Sequence, residues 1–200
     1  MNTILKLFII FILINTNAYS NNIKKTTIEG MALGDSALNF FSEAEIKKEI
    51  ITDWNNKKYE TSEIKSQNFK KFDIVHISYL SADNNFKIAA IQGLVSSNYS
   101  KCLNQIEKIS KKLKEKFPKA QIQPPYEYKN NWDKTGKSKI TDIIITFGTG
   151  KKVEVLDTVT LYCYQYSDEY KKNNQILEDD LVLKISSKEF DLFLFSEAYN

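Results

Sequence analysis

Apolar positions along the chain fall into two rhythms. Over residues 99–117, Cys102, Leu103, Ile106, Ile109, Leu113 and Phe117 recur at intervals of three and four with lysines opposite, which predicts an amphipathic helix that Pro118 stops. "FDIVHISYL" (72–80) and "FKIAAIQGLVSS" (86–97) are rich in β-branched and aromatic residues and flank the turn-forming stretch 81–85, predicting an antiparallel hairpin. "KITDIIITF" and "KKVEVLDTVTLYCYQYS" predict two further strands around the turn Gly148-Thr149-Gly150. In the second, Val153, Val155, Val159, Leu161 and Cys163 share one face, and Glu154, Thr158, Thr160, Tyr162, Tyr164 and Tyr166 share the other. The first set is the core face. A last strand is expected at 181–185.

The remaining stretches are read from their caps. Asp35 is a candidate N-cap for a turn holding Leu38 and Phe41, and Ser42 with Glu45 forms a capping box, with Phe41 and Ile46 as the hydrophobic staple across it. Ser186 and Glu189 repeat the box and predict a C-terminal helix over 187–198, preferred to a strand because Phe193 and Phe195 break the alternation of Phe190, Leu192 and Leu194. Residues 54–71 are polar and read as loop with room for one short strand. Residues 119–139, with Pro124, Pro125 and Gly136, read as a surface crossing without a regular element. The expected fold is α+β: an antiparallel sheet of about five strands, one main amphipathic helix (99–117) packed on it, short N-terminal helices and a C-terminal helix.

The two cysteines refine this picture. Cys102 lies on the apolar stripe of the helix and Cys163 on the apolar face of its strand, so both point into the layer where helix meets sheet. A bridge across 61 residues stabilises by about 4 kcal/mol in the chain-entropy model. Such a bridge needs an oxidising compartment. Residues 1–20 supply the route: Lys6, an apolar run over 7–14 and small or polar residues to Ser20 form a secretory signal pattern, with cleavage expected after Ser20. Eight apolar residues span only about 12 Å as a helix, too short for a stable membrane anchor. Residues 21–200 then form a single α+β domain, periplasmic or secreted.

Charge excludes more than it identifies. The 28 basic residues are all Lys and 25 acids offset them, leaving a net charge of +3. Without Arg, bidentate reading of phosphate or guanine is not expected, and neither is a nucleic-acid partner. One His and no Cys-x-x-Cys speak against a metal or redox cofactor. "TGKSK" and "GTGKK" echo phosphate loops, yet neither joins a strand to a helix, and no twelve-residue calcium loop surrounds the acidic stretches.

Gly34-Asp35-Ser36 and Asp73-Ile-Val-His76 resemble the nucleophile and Asp-x-x-His motifs of GDSL-type, or SGNH, esterases and lipases. That resemblance implies Ser36 as nucleophile and His76 as base. Here, however, His76 follows Ser36 by only 40 residues, and strand geometry sends Asp73 and His76 to opposite faces. Ser36 reads better as a helix-starting residue. Tyr162, Tyr164 and Tyr166 form a stripe suited to stacking a sugar or meeting a partner, or to packing beneath a helix or loop, and Tyr126, Tyr128 and Trp132 cluster on the crossing.

"IEGMALGDSALNFFSEAEI", "YSKCLNQIEKI", "DKTGKSK", "LYCYQYS" and "ISSKEFDLFLFSEAY" together resemble a family of small exported proteins of AT-rich marine alphaproteobacteria, which implies export and no activity. The opening Gly30-Met-x-Leu-Gly34-x-Ser36 is more distantly similar to envelope lipoproteins of the BamE and SmpA type, although the lipid-bearing Cys is missing. The preferred function is a non-enzymatic binding or interaction module of the cell envelope, its partner an envelope protein or a glycan. The alternatives are a small esterase using Ser36 and a carbohydrate binder using Tyr162, Tyr164 and Tyr166.

Overall fold

In a computed structural model of the chain, Ile23 and residues 26–147, 157–176 and 178–200 are described. The expected signal peptide (1–20), the turn Gly148-Thr149-Gly150 and Val153, Glu154 and Val155 lie outside them. Eight strands form one antiparallel sheet among the described residues: β1 (Tyr59–Ile64), β2 (Ile74–Leu80), β3 (Ile88–Ser96), β4 (Gln121–Ile122), β5 (Tyr126–Lys129), β6 (Lys139–Thr146), β7 (Thr158–Gln165) and β8 (Asp180–Ser186). Their spatial order is β1-β2-β3-β8-β7-β6-β4, with β5 also paired to β6. The helices are α1 (Glu43–Lys47), α2 (Tyr99–Lys116), α3 (Asp168–Asn174) and α4 (Lys188–Ser196).

The α+β class, the β2–β3 hairpin and the β6–β7 pairing agree with the sequence. The sheet is larger than the about five strands expected from apolar alternation, and its extra members are the polar or short ones. β1 packs through hydroxyls: Thr61 and Ser78 share a hydrogen bond of 2.7 Å, and Ser62 and Tyr79 one of 2.9 Å. Both pairs are cross-strand neighbours or nearly so, and hydropathy does not register them. The crossing over 119–139 was expected to be irregular, but it contributes β4 and β5 to the β6 edge, on either side of Pro124 and Pro125.

Two caps sit one residue later than expected. Ser36, not Asp35, caps a single 3-10 turn at Ala37–Asn39, while the Asp35 carboxylate accepts from the Ala32 amide. Ser187, not Ser186, caps α4, accepting from the Phe190 amide at 3.3 Å. Ser186 belongs to β8, and its hydroxyl donates to Asp191. The Ser42–Glu45 box at α1 is present with both of its reciprocal bonds.

One sheet face is closed by α2 and the N-terminal segment. Ile77, Ile91, Ile185, Val159 and Ile145 form a single cross-strand row, all buried, and α2 adds Cys102, Ile106 and Leu113 above it. Each such side chain contributes about 1.5–3 kcal/mol by leaving water. The Cys102–Cys163 disulfide pins α2 to β7 with a Cα separation of 5.7 Å. Gly93 in β3 lies under the Phe72 ring, where an added Cβ would come within 2.5 Å of ring carbons, so only glycine lets that ring lie flat on the strand. The segment before α1 is fastened by a tight turn in which Glu29 and Gly30 have φ of 50° and 89°. The Glu29 carboxylate accepts from the amides of Lys70, Lys71 and Phe72.

The opposite face is covered at one end only. β8 enters late in the chain between β3 and β7, and this delivers α4 to that face. There Phe190 and Phe193 meet Trp54 and Tyr59, with ring centroids 4.9–6.0 Å apart.

Candidate functional site

Alternation along β7 sends Val159, Leu161 and Cys163 beneath α2 and turns Tyr162 and Tyr164 to the partly covered face, where Tyr166 follows just past the strand. Beyond α4 this face is a trough of about 470 Å³. Its floor crosses five neighbouring strands: Thr61 on β1, His76 and Ser78 on β2, Gln92 and Leu94 on β3, Val182 and Lys184 on β8, and Tyr162 and Tyr164 on β7, with Tyr166 just past its end. Trp54, Leu194 and Tyr199 line the β1 end and Trp132 the β7 end. The size is that of a small-molecule site.

The Trp132 wall is built around one carboxylate. Asp133 is buried and accepts from the Thr135 amide and hydroxyl, the Ser138 amide and hydroxyl, and the Ser167 hydroxyl. Burial alone would raise its pKa, but bonds from Ser138, Thr135 and Ser167 hold it well below the usual carboxylate range. Ser167 also caps α3, so the loop is tied to the end of β7. Trp132 stands outside this knot, 61% exposed, its ring parallel to Tyr164 within 6° at a centroid distance of 6.5 Å. Tyr164 stacks in turn on Tyr166, and Tyr166 on Tyr170.

Most ionisable groups of the trough are paired within the protein. His76 bonds through Nε2 to Glu63 at 3.0 Å, and burial lowers its pKa against the pull of Glu63, so it is neutral at pH 7. Lys184 bonds to Asp191 at 3.0 Å, and Asp191 also accepts from Ser186 and Thr158. Thr61 and Ser78 bond to each other. Tyr166 donates to Asp180, whose pKa burial pushes up to about 6. Others differ: among the described residues, the Gln92 amide and the Tyr164 hydroxyl on the floor make no side-chain hydrogen bond, nor do the Asp53 carboxylate and the Tyr199 hydroxyl at the rim. Burial raises the Tyr164 pKa strongly, so that hydroxyl keeps its proton.

The esterase constellation is not assembled. Ser36 Oγ donates to the Asn85 carbonyl at 2.6 Å and accepts from the Leu38 amide, while Asp73 accepts from the Ser96 amide. His76 is engaged with Glu63, a cross-strand neighbour. Among the described residues no group of three or more His, Cys, Asp or Glu is placed to hold a metal ion, and no helix is long and apolar enough to cross a membrane.

The tyrosine stripe was therefore legible in sequence, but its surroundings were not. Trp132 was noted without its stacking on Tyr164, and Gln92 not at all. The one available signal was "DKTGKS", whose short polar side chains are turn formers that fold back onto a carboxylate. Comparison with known protein families, characterised proteins and solved structures found no match.

Proposed function

We propose that this is an exported, non-catalytic binding module of the cell envelope, and that the trough opposite α2 is its ligand site. Export rests on the 1–20 signal pattern and on the resemblance to small exported proteins, and the Cys102–Cys163 bridge fits an oxidising compartment. The observation that carries the site is the pair of polar groups, on Gln92 and Tyr164, that line the trough without a side-chain bond to the protein. Both groups are open to the trough, where a ligand able to donate and accept would take the place of water on them. Binding without catalysis is supported by the engagement of Ser36 with Asn85 and of His76 with Glu63.

A thermal-shift screen of a chemically mixed small-molecule panel tests this reading. A ligand that raises the melting temperature of the wild-type protein, but not of a Trp132→Ala, Gln92→Leu double variant, is expected. If every ligand acts equally on both proteins, the trough is not the site. A serine-directed fluorophosphonate should leave the protein unlabelled, and labelling lost in Ser36→Ala would instead favour the esterase.

A further inference from the structure

We propose, building on the trough as the ligand site, that its ligand is a neutral oligosaccharide lying across β1 to β7, stacked on Trp132 and hydrogen-bonded by Gln92 and Tyr164. Three independent features of the trough converge on this chemistry.

The first is charge. Lys184 is held by Asp191 and the neutral His76 by Glu63, so no cation among the lining residues is left to meet an anionic ligand. Among the described lining residues the one carboxylate is that of the exposed Asp53 at the rim, which repels anions and accepts readily from hydroxyls. The groups offered inside are an amide and a phenol, both uncharged and both able to donate and accept. Such a set matches hydroxyls.

The second is the aromatic platform. A pyranose ring has one face of C–H groups and a rim of hydroxyls, so it pairs with an exposed aromatic face beside polar side chains. Trp132 supplies that arrangement without being a loose surface residue. Five hydrogen bonds to Asp133 fix its loop, and Tyr164 lies parallel to its ring. A rigid ring held 61% exposed gives up little entropy when a ligand covers it. Tyr199, equally exposed, offers a second ring at the far end.

The third is shape. Five adjacent strands at about 4.8 Å spacing give a floor about 19 Å long. That is an open channel for a short oligosaccharide rather than an enclosed pocket for a single ring.

Acrylamide quenching of intrinsic fluorescence reads the platform directly. The chain has two tryptophans, and Trp54 is buried with its indole N–H donated to the Tyr59 carbonyl, so quenching reports Trp132. The probes are neutral mono-, di- and tetrasaccharides of glucose, mannose and N-acetylglucosamine, with sulfated and sialylated counterparts. A neutral saccharide should shield Trp132, with affinity rising with length, and Trp132→Ala should weaken binding by about tenfold or more, the scale of losing an aromatic anchor. Trp132→Phe should recover part of the loss, and Gln92→Leu should weaken binding without changing the melting temperature.

The proposal falls if no neutral saccharide shields Trp132 at millimolar concentration, if charged glycans bind better than neutral ones, or if Trp132→Ala binds unchanged. A non-saccharide ligand from the mixed panel that depends on Trp132 would overturn the saccharide while leaving the trough as the site. If no ligand of any class binds, both readings fail.

Discussion

Ile91, Ile185 and Val159 in adjacent strands form one cross-strand row, and the next row over holds Gln92, Lys184 and Thr160. The two rows belong to the same three strands and differ only in the direction of the side chain. Under α2 the row is hydrocarbon and fully covered, and the Cys102–Cys163 crosslink lies on the same face. On the other side the row is polar: Lys184 and Thr160 are buried, Lys184 against Asp191 and Phe190 of α4, while Gln92 is only half-buried. A half-covered polar row is stable when its groups find partners, and most do: His76 with Glu63, Lys184 with Asp191, Thr61 with Ser78. The comparison thus separates polar residues that hold the fold from Gln92 and Tyr164, which face the trough from its floor.

Substitutions on the closed face should register as stability. Replacing both Cys102 and Cys163 by Ala removes the crosslink and should cost about 4 kcal/mol, measured by denaturant unfolding. Gly93→Ala drives a methyl group into the Phe72 ring and should cost about 1–3 kcal/mol by the same measurement. A cost near zero would mean that Phe72 moves aside and that the close approach is not required.

On the open face a smaller effect with a pH signature is expected. Asp180 has a folded-state pKa raised to about 6 by burial, with Asp179, Asp73 and Glu178 adding to the rise and Tyr166 opposing it. The folded state therefore holds this proton more tightly than the unfolded chain. Its contribution is fully present below about pH 4 and is lost as pH rises through about 6. Asp180→Asn should flatten that part of the stability profile and stabilise the protein at pH 7 by about 1–2 kcal/mol. An unchanged profile would place the proton elsewhere. Smallest of all, Tyr164→Phe should change stability by less than about 0.5 kcal/mol, because its hydroxyl has no side-chain bond to lose, yet it should weaken ligand binding.

The same contrast explains what could be read from the chain alone. The α2 stripe, the β2–β3 hairpin and the meeting of Cys102 with Cys163 were legible because hydrocarbon at a fixed period points to a buried face. β1 was legible only as room for one short strand within 54–71, since Thr61 and Ser62 pack through hydroxyls, and β4 and β5 are too short for any period to show. At both Ser36 and Ser187 a neighbouring capping residue competed, and the choice depended on tertiary contacts: Asp35 turns back to Ala32, and Ser186 is drawn to Asp191. The tyrosine stripe followed from alternation. Its opposing wall, Trp132, did not, because a loop folded around the Asp133 carboxylate has no periodicity.

The most direct test of the account is a chemical-shift titration of the isotopically labelled protein with the best ligand from the thermal-shift panel. The account predicts perturbations at Gln92, at the Trp132 indole and along β7 at Tyr162 and Tyr164, with α2 silent. Perturbations centred on α2 and the Cys102 region, with Trp132 unmoved, would contradict it.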